Sequence, residues 1–275
     1  MTKETAIVFM CAGISSRFGG KIKQFARVGP SGESLIEYSL KQAISAGFGK
    51  IVFIVGKMTA EPFRSYFGEY FMGRKTFYAM QDYDSANRDK PWGTSDALCS
   101  AGKFIDCPFV ICNGDDIYGE ENFKIMNNHL IEEKDCASIG YKLIDVIPKN
   151  GRVNRAVFYA DEKSYVKELK EIFDINKDNF AEKNLTEESL CSMNIFALQP
   201  EIIFELTKVL NKFKEKNKSD RKIECLLPNE ISKLIEKKEI RMKIYSSRDR
   251  WLGVTNPEDE EIVRNKLKEL NAAGS

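Results

Sequence analysis

Histidine is nearly absent. Among 275 residues there is one, His129, in a stretch with helical spacing. A Ser-His-Asp relay or a histidine-rich metal centre therefore has little to build on, and a packed or solvated imidazole is expected. Excess charge of one sign is missing too: 42 Lys and Arg stand against 41 Asp and Glu, a formal net charge of +1. That leaves no basic surplus to bind nucleic acid by counterion release. No apolar run approaches the ~20 residues that a membrane-spanning helix needs. Met1-Thr2-Lys3-Glu4-Thr5 is not followed by the long apolar segment of a signal peptide. The expectation is a cytoplasmic protein without nucleic-acid or membrane partners. The seven cysteines, at positions 11, 99, 107, 112, 136, 191 and 225, are odd in number and match no metal-ligand spacing. Most lie in apolar runs, which predicts buried reduced thiols. Repeats and low-complexity segments are absent, and 43% hydrophobic against 30% charged residues gives an ordinary globular chain with ample core.

What is present begins at Ile7. The apolar run 7–11 reads as a buried strand and stops abruptly at Ala12-Gly13-Ile14-Ser15-Ser16-Arg17-Phe18-Gly19-Gly20-Lys21-Ile22-Lys23-Gln24. Small residues let backbone N–H groups turn toward an anion, and Arg17 and Lys23 add fixed positive charge. Backbone donors and cations together replace the water stripped from a polyphosphate. The loop is neither a P-loop nor the G-x-G-x-x-G dinucleotide fingerprint.

Helical spacing over 35–44, with Ser34 as its cap, leads to a second apolar strand at 51–55. Strand, helix and strand in so short a span make a βαβ unit with a parallel pair. A helix over 59–71, a strand near 76–80 and a helix opened by Thr94 follow. The third apolar strand, 109–113, ends in Gly114-Asp115-Asp116-Ile117-Tyr118-Gly119. Open parallel sheets bind ligands at the carboxyl ends of their strands, so the loop and the carboxylates can face one crevice. Neighbouring residues of an extended chain point opposite ways, so one of the two aspartates is expected to face the ligand. A carboxylate beside a triphosphate implies a cation between them, with Mg2+ the usual one. Beyond a helix at 121–133 and a strand at 136–143, segments 152–159 and 164–172 alternate as antiparallel strands do. The polar stretch 173–186 is read as a flexible loop. A strand at 190–196 returns to the crevice, and helices at 200–214, 225–237 and 259–270 flank a strand at 240–246. The chain is expected to form one domain over 1–271. Its nucleotide-binding half would be about 1–120, its acceptor-binding half about 121–258 and its C-terminal helix about 259–270, with 272–275 as a tail.

The loop from Ala12 to Gln24 resembles the signature loop of nucleotidyltransferases that make nucleoside-diphosphate sugars, and Asn113-Gly114-Asp115-Asp116-Ile117-Tyr118-Gly119 resembles their second signature. The resemblance extends from about Thr5 to Glu261. It implies a Rossmann-like three-layer α/β/α fold with a mixed, mainly parallel sheet. The reaction implied is Mg2+-assisted transfer of a nucleotide from a triphosphate to a phosphorylated small molecule, foremost a sugar 1-phosphate, for cell-surface polysaccharide synthesis. Arg17, Lys23 and Asp115 are the implied catalytic residues, with Asp115 on the metal. Ala12, Gly13, Ser15, Ser16, Arg17, Lys23, Gln81, Gly93 and Thr94 would hold the nucleotide, and Tyr141, Glu171 and Asn194 the acceptor. Homo-oligomer formation is left open.

Two departures stand out. Ser15 replaces a glycine that many members carry. Gly253, in Arg250-Trp251-Leu252-Gly253-Val254-Thr255, stands where many carry a second metal-binding aspartate; either Asp249 or Asp116 replaces it, or the metal relies on Asp115, phosphate oxygens and water. Alternatives are CTP-dependent transfer to a small non-sugar phosphate or phosphonate, a non-catalytic nucleotide- or sugar-binding protein of the same fold, and, least favoured, a dehydrogenase-type dinucleotide binder.

Overall fold

The computed structural model describes residues 3–13, 22–148, 151–254 and 259–273. The first half of the chain forms β1 (Ala6–Cys11), α1 (Leu35–Ser45), β2 (Lys50–Val55), α2 (Ala60–Phe67), β3 (Tyr70–Phe71), β4 (Arg74–Met80), α3 (Thr94–Ser100), β5 (Phe109–Asn113) and β6 (Asp116–Ile117). The second forms α4 (Glu120–Glu132), β7 (Cys136–Lys142), α5 (Leu143–Val146), β8 (Val153–Ala160), β9 (Val166–Ile175), β10 (Leu190–Leu198), α6 (Ile202–Lys216), α7 (Leu227–Glu236), β11 (Met242–Ser246), β12 (Leu252–Gly253) and α8 (Asp259–Ala273).

One sheet runs through both halves in the order β11-β7-β10-β5-β1-β2-β4-β3, with the β8–β9 hairpin joined at β10. β5, β1, β2 and β4 are parallel. β10 opposes both β5 and β7, and β11 is parallel to β7. The carboxyl ends of six strands therefore share one edge. The central strands are covered on both faces, which is why they read as continuous apolar runs. Ile7, Phe9 and Cys11 join Phe53, Phe63 and Phe123 on the side of α1, α2 and α4. Ala6 and Val8 pack with Leu98, Leu206 and Ile231 of α3, α6 and α7 on the other.

Local signals explain most boundaries. Ser34 accepts from the Glu37 N–H at 3.3 Å and its own N–H reaches the Glu37 carboxylate at 3.4 Å, the reciprocal cap expected for α1. α2 stops at Gly68, whose φ of 62° ends the helix four residues before the expected position. Segment 173–186 is not the loose loop its polarity suggested. β9 runs to Ile175, and two 3-10 turns follow, Lys177–Asn179 and Ala181–Lys183. Ile175, Phe180 and Leu185 are buried in the main core, so three apolar side chains at five-residue spacing hold the segment down.

All seven cysteines are free, and burial pushes the thiols of Cys11 and Cys112 well up. His129 is buried between the Tyr245 hydroxyl at 3.1 Å and the Asp135 carbonyl at 2.9 Å, the packed imidazole expected. Among the described residues no helix is long and apolar enough to cross a membrane.

Candidate active site

Lys23 opens a short 3-10 turn, Lys23–Phe25. Phe25 anchors that turn by packing its ring 4.9 Å from Phe63 and 5.2 Å from Tyr66. The Lys23 ammonium reaches the carboxylate of Asp115 and pairs with it, both side chains about one-fifth exposed. Gly114 allows this approach. Its N–H donates to the Met10 carbonyl at 3.0 Å, and a Cβ there would fall 2.3 Å from Cys11 Sγ. Only a glycine lets the end of β5 lie this close to β1. A turn at Gly114-Asp115 also interrupts the strand before β6 begins, so the alternation that would send the two aspartates opposite ways is broken.

Asp116 is buried. Its Oδ2 accepts from Asn113 Nδ2 at 2.8 Å and lies 3.2 Å from the Tyr118 hydroxyl. Burial, then the negative charge of Asp115, push its carboxyl up to about 7, against the pull of Asn113, Trp251 and Lys23. The Tyr118 hydroxyl lies 2.8 Å from the Met193 carbonyl and accepts from the Asn113 N–H at 3.1 Å. Asn194 follows Met193 in a bulge of β10, with φ at 59°. A non-glycine residue in the left-handed region stores strain of a kind that concentrates at functional positions. Phe196 pairs with Ile111, which sets Asn194 at the level of the β5 tip.

On the other flank, Gln81 follows β4 directly. Its Nε2 donates to the Gly93 carbonyl and to Asp96 Oδ2, each at 3.0 Å. Lys214 Nζ lies 2.5 Å from Asp96 Oδ1, which fixes a charged acceptor opposite the amide. Both Gln81 amide hydrogens are thus engaged within the protein, which leaves its carbonyl as the side chain's remaining acceptor. Gly93, with φ at 99°, packs so closely that a Cβ would meet the Cys225 carbonyl at 2.7 Å. Thr94 does not cap its own helix. Its hydroxyl accepts from the Leu227 N–H at 2.8 Å and so holds the start of α7.

The other expected residues are distributed as follows. Ala12 and Gly13 lie directly after β1, and a Cβ on Gly13 would meet nothing within 4 Å. Ser15, Ser16 and Arg17 lie outside the described residues. Glu171 is half-buried on β9 opposite Ala156, and burial raises its carboxyl while Arg155 opposes the shift. No contact joins Glu171 to Lys23 or Asp115. Tyr141 stands near the end of β7. It borders a cavity of about 430 Å3 shared with Lys142, Arg248 and Trp251. The residue is nevertheless buried, and its hydroxyl accepts from Asn122 Nδ2 at 3.1 Å, so it serves the core and the start of α4. Asp249 is committed as well. Its Oδ2 accepts from the Asn122 N–H at 3.1 Å in the first turn of α4. Asn113, Tyr118, Asp96 and Lys214 were not singled out by sequence. The first two flank the aspartate pair within its motif and Asp96 lies two residues after Thr94, but Lys214 carries no local signal.

A carboxylate at a strand tip is paired there with a lysine, and the model of one protein family, described as nucleotidyl transferase, aligns with residues 21–259. The chain belongs to the nucleotidyl transferase family. Solved structures share the fold over nearly the full length. A Bacillus anthracis protein assigned as a glucose-1-phosphate thymidylyltransferase is 13% identical, covers 96% of both chains and superposes with a TM-score of 0.70. A UDP-glucose pyrophosphorylase in complex with UDP-glucose is 15% identical over 97% of this chain and 99% of its own, with a TM-score of 0.68. The inositol-1-phosphate CTP transferase from T. maritima is 14% identical over 98% of each, with a TM-score of 0.67. No curated protein sequence matches. The mixed, mainly parallel sheet between helical layers is the nucleotidyltransferase fold that the sequence motifs implied.

Proposed function

We propose that this nucleotidyltransferase joins a nucleoside triphosphate to a phosphorylated small molecule, in the first place a sugar 1-phosphate, and releases a nucleoside-diphosphate sugar and pyrophosphate. The observation that carries the proposal is the contact of Lys23 with Asp115, made across the shared edge of β1 and β5. A phosphate oxygen of the acceptor attacks the α-phosphorus in line. The bond from that phosphorus to the bridging oxygen of the β-phosphate breaks, and its electron pair leaves with pyrophosphate. No covalent bond to the protein forms, so positioning and charge neutralisation do the catalytic work.

Lys23 and Arg17 neutralise phosphate charge, and the backbone around Ala12, Gly13, Ser15 and Ser16 wraps the triphosphate. The Gln81 carbonyl and the main chain of Gly93-Thr94 receive the base. Asn194 and Glu171 face the acceptor's hydroxyls. The donor set at the β5 tip fits a hard divalent ion, since carboxylates are its preferred protein ligands and phosphate oxygens complete the shell. Asp115 would hold Mg2+ there, and the ion would supply positive charge beside the phosphates. In this reading, 1–120 binds the nucleotide and 121–258 the acceptor within one domain, and the protein works in the cytoplasm.

The test is pyrophosphate release from the four common triphosphates, each offered with glucose 1-phosphate, inositol 1-phosphate and a small phosphonate. Release with a sugar 1-phosphate supports the proposal, and release with CTP and a non-sugar acceptor alone replaces it by the cytidylyltransferase reading. Gly253 favours one further outcome, binding without turnover, because it brings no carboxylate to the site. A triphosphate that raises Tm while no pair releases pyrophosphate would establish that.

A further inference from the structure

We propose that the second metal-holding carboxylate of this site is Asp116, moved across the β6–β12 ladder from position 253. The inference rests on the reading above, in which Asp115 holds a divalent ion. β6 and β12 form a two-stranded antiparallel ladder in which Gly253 stands directly opposite Asp116. A Cβ added at Gly253 would lie 2.7 Å from Asp116 Oδ1. In an aspartate the Cβ and its own carboxylate oxygens are about 2.4 Å apart by standard bond lengths. Asp116 Oδ1 thus sits at close to the reach of the carboxylate that an aspartate at 253 would present, but it arrives from the facing strand.

The surroundings fit the exchange. The same added Cβ would lie 2.5 Å from a ring carbon of Trp251, so the space that a side chain at 253 needs is filled by the indole and the Asp116 carboxylate together. Asp116 is aimed by its neighbours. Asn113 and Tyr118 both engage Oδ2, which leaves Oδ1 to face position 253. Hydrogen bonds of this kind orient metal-ligating carboxylates. The turn at Gly114-Asp115 removes the strand alternation that would otherwise oblige Asp116 to face away from Asp115. The rival candidate faces elsewhere: the Asp249 carboxylate packs against Gly119, where an added Cβ would lie 2.2 Å from its Oδ2, and not against position 253.

Terbium is a suitable probe. Tb3+ takes oxygen ligands as Mg2+ does, and Trp251 beside the site can sensitise its emission. Titration of the intact protein with Tb3+ alone should give saturable emission that Mg2+ displaces. Asp116→Asn should weaken Tb3+ binding about 10–100-fold, while Asp249→Asn leaves it unchanged. The reciprocal exchange Asp116→Gly with Gly253→Asp should recover most of the affinity, a rescue that a merely structural role for Asp116 would not produce. Melting curves identify any variant that fails to fold, and Asp116→Asn decides the question if the exchange does. Wild-type affinity in folded Asp116→Asn, or loss of binding in Asp249→Asn instead, overturns the inference. If Asp115→Asn weakens binding and Asp116→Asn does not, only this inference falls. If the wild type binds no Tb3+, the metal reading of Asp115 falls with it.

Discussion

The hydroxyl of Tyr118 lies 2.8 Å from the main-chain carbonyl of Met193 and ties the tip of β5 to the bulge of β10 that carries Asn194. Tyr118→Phe strips a partner from the Met193 carbonyl, the Asn113 N–H and Asp116 in a fully buried setting. Leaving buried polar groups unpaired costs about 1–3 kcal/mol. The variant should melt several degrees lower, and its KM for the acceptor should rise more than its KM for the triphosphate. Equal rises would show that the tie does not position the acceptor side.

Lys23→Ala and Asp115→Ala should each lower pyrophosphate release by about 10²–10³-fold, as removal of one preorganised charge at a transition state does. Both side chains are partly exposed, so the loss of stability should stay below about 1 kcal/mol. Near-normal turnover in either folded variant would remove that residue from the catalytic set.

Gly114→Ala tests the close approach of β5 to β1. Its Cβ would fall 2.3 Å from Cys11 Sγ and 3.0 Å from the Met10 carbonyl. Overpacking of this sort costs about 1–3 kcal/mol, and the shift should separate Lys23 from Asp115. A lower Tm together with reduced kcat is expected. Unchanged kcat would mean that the strand tip tolerates displacement.

Lys214→Met leaves the buried Asp96 carboxylate without its cation and loosens the acceptor that holds Gln81. The expected result is a higher KM for the triphosphate with little change in KM for the acceptor, measured by initial rates. The reverse pattern would place Gln81 on the acceptor side.

Half-burial raises the Asp249 carboxyl, with Glu121 and Glu120 adding to the shift while N–H groups of α4 oppose it. Because the folded value is the higher one, the folded state holds the proton longer. Asp249 therefore favours folding below the ordinary carboxylate range and loses that advantage as pH rises through the raised value. Asp249→Asn keeps a capping side chain but removes the titration. Its Tm should fall less steeply than the wild type's as pH is raised across that window. Parallel Tm profiles would refute the assignment.

Sequence showed what depends on local pattern. Runs 7–11, 51–55 and 109–113 were legible as parallel strands because both of their faces are buried. Lys23 and Asp115 were legible as a pair because each lies in a distinctive motif at a strand end. The Asp96–Lys214 pair was not, since it joins residues 118 apart in the chain. Nor was the β6–β12 ladder, which is two residues long and too short for any periodicity. The internal contacts of Gln81 and Thr94 were hidden for a related reason. Each spends hydrogen-bonding capacity on Asp96 or on the start of α7, partners that no local pattern announces.

Lys23 and Asp115 satisfy each other. In the proposed reaction an incoming polyanion would draw the ammonium away, and an incoming cation would take over the carboxylate. Either guest alone would leave one of the two charges stranded. Loading by a metal–nucleotide complex would exchange a single internal contact for two external ones at once, so each ingredient alone should bind more weakly than the couple.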